Sequence, residues 1–488
     1  MKNIILYILP LIAFFACEDA LIEKPKSLTV ESFYNAPGEV ETGLAAIYTP
    51  MRERIDGWWL SMIECQTEYG SGMNGAANFD ACKTMQGLDG VTSNNIVRSW
   101  DSFYSSIRNA NLVIHYTEKS ESLSQADKDR FVAEAKFLRA IAYFHLTRAW
   151  GGLPIYTEEN LYETTGAPKS SQEAVYDLIR SDMEFAAQYL PEQAPIAGRP
   201  SKWAAKTALS DVYLYLEEYQ LASSTALEVI EANQYSLEPV SQPEDFNNLF
   251  GLTASSPEEI FYFKYNQNSK SSLILFTQEI NTPYFGSAGY GIFNWDKLNP
   301  FYVEWEDGDF RKEFNWYESD KANTYLPGQP AFSQDAVHIC PKKYNDPDGT
   351  ATIATFDFPV YRFAELLLIY AEATAYVENG PTADAMEKLN MVHRRAYGYD
   401  VNSPSPVDFN VEDYDLTTFV DLIIQERGYE FQFEGKRWFD LVRSGRVYDN
   451  MEKYIFRSVA EKHLLWPIPS LEFDLNEAMG PEDQNPGY

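Results

Sequence analysis

Sequence patterns that carry catalysis or bind metals are scarce in this 488-residue chain. It has no G-x-S-x-G, no H-E-x-x-H, no P-loop and no G-x-G-x-x-G after a predicted strand. The five histidines are scattered, and the four cysteines lack the spacing of zinc ligands or of a disulfide framework. We therefore expect no catalytic residue, no bound metal and no cofactor. Cys65 and Cys82 could pair in an oxidising compartment, and the sequence leaves that open.

Positive charge is also scarce. Lysine and arginine number 39 against 72 aspartates and glutamates, so the formal net charge is −33. A field of this sign repels phosphate backbones, which excludes nucleic acid as an expected partner. It also disfavours a strongly anionic ligand, unless a local basic pocket overrides the field of the whole protein.

Apolar runs long enough to span a bilayer are absent, and the N-terminal run Ile4–Ala16 is too short for one. This run follows Lys2 and ends directly before Cys17, a pattern that resembles the lipobox of bacterial lipoproteins. We expect residues 1–16 to be a lipoprotein signal peptide, Cys17 to be lipidated and residues 17–38 to form a tether. The alternative is an ordinary secretory leader. Glu18 and Asp19 resemble an acidic signal for export, so the expected location is the cell-surface side of the outer membrane.

Aromatic residues are abundant, with 33 Tyr, 30 Phe and 10 Trp. The clearest pattern that contains them is the stretch Phe131–Pro154, which reads as a helix with almost no polar side. One face carries Phe131, Ala135, Leu138, Ala142 and Leu146, and Phe137, Ile141 and Phe144 cover most of the remainder. A helix that is apolar nearly all round is expected to lie inside other helices. Gly151, Gly152 and Pro154 predict its end.

Paired helices predict the fold class. Residues 204–233 read as two helices joined by a turn at Glu217–Glu218, at offsets typical of a tetratricopeptide repeat, and a similar pair spans 361–395. Further helices are expected over 39–54, 95–118, 171–189 and 416–443. The sequence thus predicts an all-α, tetratricopeptide-like helical superhelix in a single domain over 39–488. Its framework covers 39–54, 95–241 and 359–488, and irregular insertions occupy 55–94 and 242–358, with short strand-like runs at 260–265 and 273–278.

Four long stretches match a known family in the correct order: AEAKFLRAIAYFHLTRAWGGLPI (133–155), YRFAELLLIYAEA (361–373), ERGYEFQFEGKRWFDLVRSG (426–445) and LWPIPSLEFDLNEAMGPEDQNPGY (465–488). Asp309-Phe310-Arg311 matches as well. These stretches resemble the SusD/RagB family of outer-membrane lipoproteins, which bind nutrients at the cell surface. The resemblance implies a tetratricopeptide-based fold that sits as a lid on a SusC-like TonB-dependent transporter. It also implies ligand capture without covalent chemistry, most often of an oligosaccharide and in one branch of a peptide.

The two insertions match the family only loosely, and family members carry their ligand contacts there. Sugars present flat apolar faces ringed by hydroxyls, so their sites combine aromatic platforms with polar side chains. That mixture occurs in both insertions, at Trp58, Trp59, Tyr69, Asn74, Asn78 and Phe79 and at Tyr290, Phe293, Asn294 and Trp295. We expect these loops to close on one glycan chain; the alternative is that the rings staple the loops onto the helices. Other tryptophans are expected in the core, namely Trp100, Trp150, Trp203, Trp305 and Trp438.

Three carboxylates, Glu426, Glu430 and Glu434, are stacked along one predicted helix face. Two carboxyl groups about 5–9.5 Å apart would suit glycoside hydrolysis. The interpretation we prefer is an ion-pair network that anchors the helix, with Arg427 and Arg437 nearby. The predicted function is therefore oligosaccharide binding and delivery to a transporter. A peptide-binding member of the same family and a carboxylate-dependent glycoside hydrolase are the alternatives.

Overall fold

The structure, a computed structural model, describes residues 33–70, 77–86, 88, 94–252, 255–266, 270–271, 293, 295–319, 338–346 and 355–488. The predicted signal peptide, Cys17 and most of the predicted tether lie outside these residues. Among the helices of these residues, none is both long enough and apolar enough to cross a membrane.

A row of antiparallel helices forms the N-terminal half of the structure. The helices are α1 (Pro37–Arg54), α2 (Leu60–Glu64), α3 (Ala77–Thr84), α4 (Asn94–Lys119), α5 (Gln125–Trp150), α6 (Gln172–Tyr189), α7 (Lys202–Tyr215) and α8 (Tyr219–Glu231). From α4 to α8 each helix packs on the next in chain order, and α1 lies against α4 and α5. Serine side chains cap the first turns of α5, α6 and α7, at Ser124, Ser171 and Ser201. The helical framework predicted for this half is confirmed.

The helix α5 occupies the centre of this row, as its sequence predicts. Nearly every side chain from Phe131 to Trp150 is buried, because α4 packs on one side of the helix and α6 on the other. Gly151 ends the helix at a φ of +76°, a backbone conformation that residues with a Cβ rarely adopt. The chain then approaches the start of α6 so closely that a Cβ at Gly152 would lie 2.4 Å from the carbonyl oxygen of Ser170. The helix is therefore fixed at both its sides and its C-terminal end.

Tryptophans and cysteines of the framework lie mostly in the core. Trp100, Trp150 and Trp438 are buried as predicted, and Trp203 is half-buried. Cys65 and Cys82, whose pairing the sequence leaves open, are buried free thiols in the structure.

The first insertion is more regular than its sequence suggests. A π-helical turn at Ile55–Trp59 leads into α2, and a 3₁₀ turn follows at Glu68–Gly70. Every residue from Leu60 to Gly70 is buried. A segment that is buried on all sides has no polar face, so its sequence shows no 3.6-residue period even where it is helical.

Short strands organise the second insertion. Its elements are α9 (Asn247–Phe250), β1 (Glu259–Phe263), β2 (Trp295–Asp296), α10 (Pro300–Glu304), α11 (Phe310–Asn315), β3 (Trp316–Ser319), β4 (His338–Pro341) and β5 (Phe358–Arg362). In the described residues β1 pairs antiparallel with β5, and β4 lies between β2 and β3. The strand predicted at 260–265 corresponds to β1, and the run at 273–278 lies outside the described residues.

The C-terminal part returns to helices, with α12 (Phe363–Glu378), α13 (Ala383–Ala396), α14 (Leu416–Glu430), α15 (Arg437–Arg443), α16 (Val447–Ile455) and α17 (Ser470–Leu475). The helix α12 packs on α8, α13 and α14, which joins the two helical parts. The prediction of one continuous helix over 416–443 is wrong. The backbone turns at Phe433 and Gly435, with φ of +61° and +75°. The carbonyl of Phe433 then accepts a hydrogen bond from the Tyr344 hydroxyl at 3.2 Å, so the second insertion stabilises this break.

Candidate ligand-binding site

Of the predicted ligand-binding rings whose side chains the structure describes, Trp58 is the one that keeps exposed surface. It lies on the π-helical turn and is half-buried. Its ring stacks on Phe79 of α3, with centroids 5.7 Å apart and planes inclined by 16°. The guanidinium of Arg54 lies 5.4 Å from the centroid of the Trp58 ring, within cation–π distance. Phe79 and Arg54 hold the indole in place, as a rigid aromatic platform requires.

Burial and the neighbouring Arg98 lower the pKa of Arg54 to about 10. The guanidinium is therefore still charged near neutral pH. A cation beside an indole supplies hydrogen-bond donors next to an apolar face, which is the combination that a sugar ring requires.

Four other predicted rings lie in the core: Trp59, Tyr69, Phe79 and Phe293. Trp59 packs among Trp150 and Trp466 at centroid distances of 5.8 and 5.3 Å. Tyr69 donates from its hydroxyl to the carbonyl of Gly428 at 2.5 Å. A ring without exposed surface has no face to offer a sugar. The structure gives Trp59, Tyr69 and Phe293 a packing role instead, the alternative that the sequence leaves open.

The remaining predicted ligand residues are described only in part. Asn74, Tyr290 and Asn294 lie outside the described residues. The backbone of Asn78 belongs to α3 and that of Trp295 to β2, while their side chains fall outside the description. The expected closure of the two insertions on one glycan therefore stays a prediction.

A second exposed apolar edge lies at α10 and α16, and the sequence analysis misses it. Phe456, Leu298 and Val303 are 83%, 76% and 60% exposed. The two elements are joined because Asn299 donates to the carbonyl of Tyr454 at 3.5 Å and Lys453 donates to Glu304 at 2.7 Å. Phe456 directly follows the last residue of α16, and its spacing does not continue the buried face formed by Val447, Met451 and Tyr454. Its backbone is left-handed, with φ of +52°.

The three stacked carboxylates form the predicted ion-pair network, together with arginines from distant segments. Arg311 donates to Glu426 at 2.7 Å and to Glu430 at 2.9 Å, and Arg362 donates to Glu434 at 2.8 Å. All five side chains are at most 3% exposed. The network interpretation is confirmed, but the two arginines expected nearby pair elsewhere: Arg427 with Glu365 and Asp440, and Arg437 with Glu68.

These carboxylates are poor candidates for acid catalysis. Burial by itself would raise the pKa of Glu426, but Arg311 and His393 outweigh burial and lower it to about 2. The pKa of Glu430 is likewise lowered against burial, by Arg395, Arg362 and Arg311. A general acid needs a pKa near the working pH, and these groups stay ionised and paired instead.

Trp305 belongs to the same anchor, as predicted from its position. Its indole nitrogen donates to the Asp309 carboxylate at 2.8 Å, and the ring is 1% exposed. Asp309 also accepts from the backbone nitrogen of Arg311 at 2.9 Å, so it caps α11. Among the described residues, no group of three or more His, Cys, Asp or Glu side chains is placed to hold a metal ion.

Comparisons with known proteins agree on the family. A family model described as "SusD family" matches residues 301–488, and one described as "Starch-binding associating with outer membrane" matches residues 38–214. The SusD-like protein P38 of Formosa agariphila is 27% identical, over 93% of this chain and 92% of its own length.

Two solved structures share the fold over nearly the whole chain. A SusD homologue from Bacteroides thetaiotaomicron has a TM-score of 0.77 at 22% identity, covering 94% of this chain and 98% of its own. The surface glycan-binding protein A of the same species, in complex with laminarihexaose, has a TM-score of 0.72 at 20% identity, covering 92% and 99%. The matched family models together contain the central helix, the helix pair at 361–395 and the three carboxylates Glu426, Glu430 and Glu434. This chain belongs to the SusD/RagB family.

Proposed function

We propose that this protein is a surface-exposed lipoprotein of the outer membrane that binds oligosaccharides and delivers them to a SusC-like TonB-dependent transporter. Membership of the family supports ligand capture as its activity. The laminarihexaose complex of the surface glycan-binding protein A supports a glycan as the ligand class, since that protein shares the fold.

The observation that carries the proposal is the half-exposed indole of Trp58, which is stacked on Phe79 and flanked by Arg54. An aromatic ring that keeps part of its surface exposed can contact the apolar face of a sugar there, while the guanidinium offers donors to its hydroxyls. Phe456 is a further exposed ring that is available to a longer chain.

Binding without turnover follows from the state of the carboxylates. The buried acids at positions 426, 430 and 434 are paired with cations and have lowered pKa values, so none of them offers a proton. The ligand would leave the site chemically unchanged, as delivery to a transporter requires.

Anchoring and the partner rest on the leader sequence and on the family. A lipidated Cys17 would carry more than one acyl chain, which suffices for stable attachment to a membrane. The transporter contact would use a broad face of the helical framework, and a permanent complex is expected to bury more than about 2,000 Å².

The proposal is tested with the soluble protein that begins after Cys17. A glycan array identifies the oligosaccharides that are retained, and titration calorimetry measures the affinity for the best one. The labelled oligosaccharide is then incubated with excess protein and its length is followed by chromatography. Retention with unchanged length supports the proposal. Shortened products would establish a glycosidase, and retention of peptides but of no glycan would establish the peptide-binding alternative.

A further inference from the structure

A cavity that Trp58 does not line lies between the C-terminal end of α5 and the end of the chain. Its volume is about 690 Å³, within the range of about 300–1,000 Å³ usual for small-molecule sites. Aromatic side chains from three helices form part of its wall: Tyr176 of α6, Tyr215 of α7 and Phe439 of α15. The tail residues Asn485–Gly487 close another side.

Arg148 is the buried cation of this cavity. Its Nε donates to the carbonyl of Phe144 at 3.1 Å, and its Nη2 lies 3.1 Å from Nδ1 of His145. The guanidinium lies between the rings of Phe144 and Phe439, at 3.9 and 4.4 Å from their centroids. Arg148 is 9% exposed, and no carboxylate of the described residues forms an ion pair with it.

Comparison with the other buried arginines of the described residues shows that a buried arginine without an ion pair is unusual in this protein. Arg54 lies over Trp58, and eight more form ion pairs with carboxylates: Arg139, Arg311, Arg362, Arg394, Arg395, Arg427, Arg437 and Arg443. A buried charge is costly unless it is paired, so this chain satisfies nearly all its buried arginines internally. Arg148 is left to face a cavity.

Burial by itself lowers the pKa of Arg148, but Tyr215 and Asp211 outweigh burial and raise it, so the guanidinium stays charged without a direct ion pair to a described residue. Burial lowers the pKa of His145 well below its ordinary value, and Arg148 lowers it further, so the imidazole is neutral. Asp211 acts on Arg148 through space, but its carboxylate accepts from the Tyr361 hydroxyl at 3.0 Å and makes no ion pair with the guanidinium. A bound anion would supply the missing counter-charge.

A second polar group in the wall also lacks a partner. The hydroxyl of Tyr215 is buried and has no hydrogen-bond partner in the part of the chain that the structure describes. An unsatisfied buried hydroxyl is costly, and a ligand acceptor would relieve it. The centroid of the Tyr215 ring lies 5.4 Å from the guanidinium carbon of Arg148, so the two side chains line the same part of the cavity.

The other charged groups of the wall are already balanced or open to solvent. Arg443 donates to Glu372 at 2.6 Å and to Asp440 at 2.8 Å, so its charge is compensated. Lys462, Glu217 and Glu461 are exposed, where water and salt screen them. The local positive character of the cavity therefore comes from Arg148, inside a protein whose net charge is −33.

We infer that this cavity binds one acidic sugar unit of a glycan, with its acidic group at Arg148 and Tyr215 and its ring against Phe439 and Tyr176. This inference rests on the proposed glycan-binding function and names a ligand class for a second site. The overall negative charge disfavours polyanions, whereas a single acidic unit pairs with a buried cation at short range. A carboxylate and a sulfate ester share this chemistry.

The test uses calorimetry on the soluble protein with methyl β-glucuronide, methyl β-glucoside, glucose 6-sulfate and an acetylated acidic tripeptide. We expect the glucuronide to bind roughly tenfold or more tightly than the glucoside, because bonds to charged donors are strong. Tight binding of the sulfate as well would extend the class to sulfated sugars, and its failure would restrict the class to uronic acids. Equal binding of glucuronide and glucoside, or tighter binding of the tripeptide, would overturn the inference.

Variants locate the effect. Arg148→Met is expected to abolish the preference for the glucuronide, and Tyr215→Phe to reduce it at least about threefold, since one hydrogen bond to an ionised group is lost. Arg130→Met is the matched control, because Arg130 lies on the same helix and forms a partly exposed pair with Glu41. If Arg148→Met does not fold, Tyr215→Phe decides, and an unchanged preference there overturns the inference. Retention of neutral glycans without this preference refutes the inference alone, whereas failure to bind any glycan refutes the proposed function.

Discussion

Arg362 holds Glu434 through two hydrogen bonds, from Nε to Oε2 at 2.8 Å and from Nη2 to Oε1 at 2.9 Å, across 72 positions of the sequence. Arg362 ends β5, and Glu434 lies in the break between α14 and α15. Lys343 of the second insertion donates to the same carboxylate at 2.8 Å. Charged groups therefore join the insertion to the helical framework, in a region where each of these side chains is 1% exposed.

Replacing Glu434 by Gln is expected to be strongly destabilising. The substitution removes the negative charge between Arg362 and Lys343 and leaves two buried cations with less compensation. Breaking one partner of a buried ion pair costs about 3–5 kcal/mol, so the free energy of unfolding should fall by that amount. Urea denaturation followed by circular dichroism measures it.

The matched control is Asp421→Asn. Asp421 accepts from Arg446 at 2.5 Å in a pair whose side chains are 56% and 23% exposed. Exposed pairs contribute about 0–1 kcal/mol, so this variant should unfold close to the wild-type urea concentration. Equal losses in the two variants would show that the anchor adds nothing beyond a surface pair.

Glu64 gives the stability of the protein a distinctive pH dependence. Burial raises its pKa to about 8, although the N–H of Gly435 donates to its carboxylate at 2.6 Å and lowers it. The folded state therefore binds this proton more tightly than the unfolded state, where the pKa is about 4.5. That stabilisation is fully present below the unfolded pKa and is lost as the pH rises through the folded one.

We expect the free energy of unfolding to decrease between about pH 5 and about pH 8 more steeply in the wild type than in Glu64→Gln, which keeps the acceptor for Gly435. Burial lowers the pKa of Lys343 to about 8, so its own contribution, which has the opposite sign, begins only at the upper end of this window. Glu163→Gln, at an exposed position, serves as the control. Parallel pH profiles for wild type and Glu64→Gln would contradict the prediction.

The helical framework could be predicted because apolar residues recur along its helices at helical spacing, either on one face or on all sides. The carboxylate spacing at 426, 430 and 434 likewise predicted an ion-pair network, although Glu434 lies beyond the end of α14. The sequence placed Arg427 and Arg437 nearby, but the cations are Arg311, Arg362 and Arg395, which come from segments that the fold alone brings together. Ion pairs of this kind depend on tertiary contacts, which periodicity does not contain.

At the candidate site, too, the sequence does not show which of two neighbouring residues is exposed. Trp58 and Trp59 are adjacent and chemically identical, yet one is half-exposed and the other is 1% exposed. They lie on a π-helical turn, where the 3.6-residue period fails and cannot assign a face. Phe456 lies where α16 ends in a left-handed residue, so the helical period of the preceding residues does not determine its exposure.

We expect the Phe456 side chain to lower the stability of the protein and to contact the ligand. A bulky residue with φ of +52° is strained, and glycine adopts that conformation freely. Because the ring is exposed, Phe456→Gly loses little buried surface and should raise the free energy of unfolding by about 0.5–1 kcal/mol. The affinity for the best-retained glycan should fall if the ring contacts it.

Asn379→Gly, at a second left-handed helix end with φ of +54°, is the control, since it should gain stability without any change in affinity. A less stable Phe456→Gly would contradict the strain argument.

Alanine substitutions at the adjacent positions Trp58 and Trp59 can separate the contribution of a ring to binding from its contribution to packing. Trp58→Ala removes a half-exposed ring, so it should lower the affinity for the best-retained glycan about tenfold or more with a small change in melting temperature. Trp59→Ala leaves a cavity beside Trp150 and Trp466 and should cost about 3–5 kcal/mol of stability. Measured well below its melting temperature, the folded fraction of that variant should keep wild-type affinity. Calorimetry and thermal denaturation of both variants check the pair. Undiminished binding in Trp58→Ala would remove this ring from the site, and the aromatic surface would then have to be sought at Phe456.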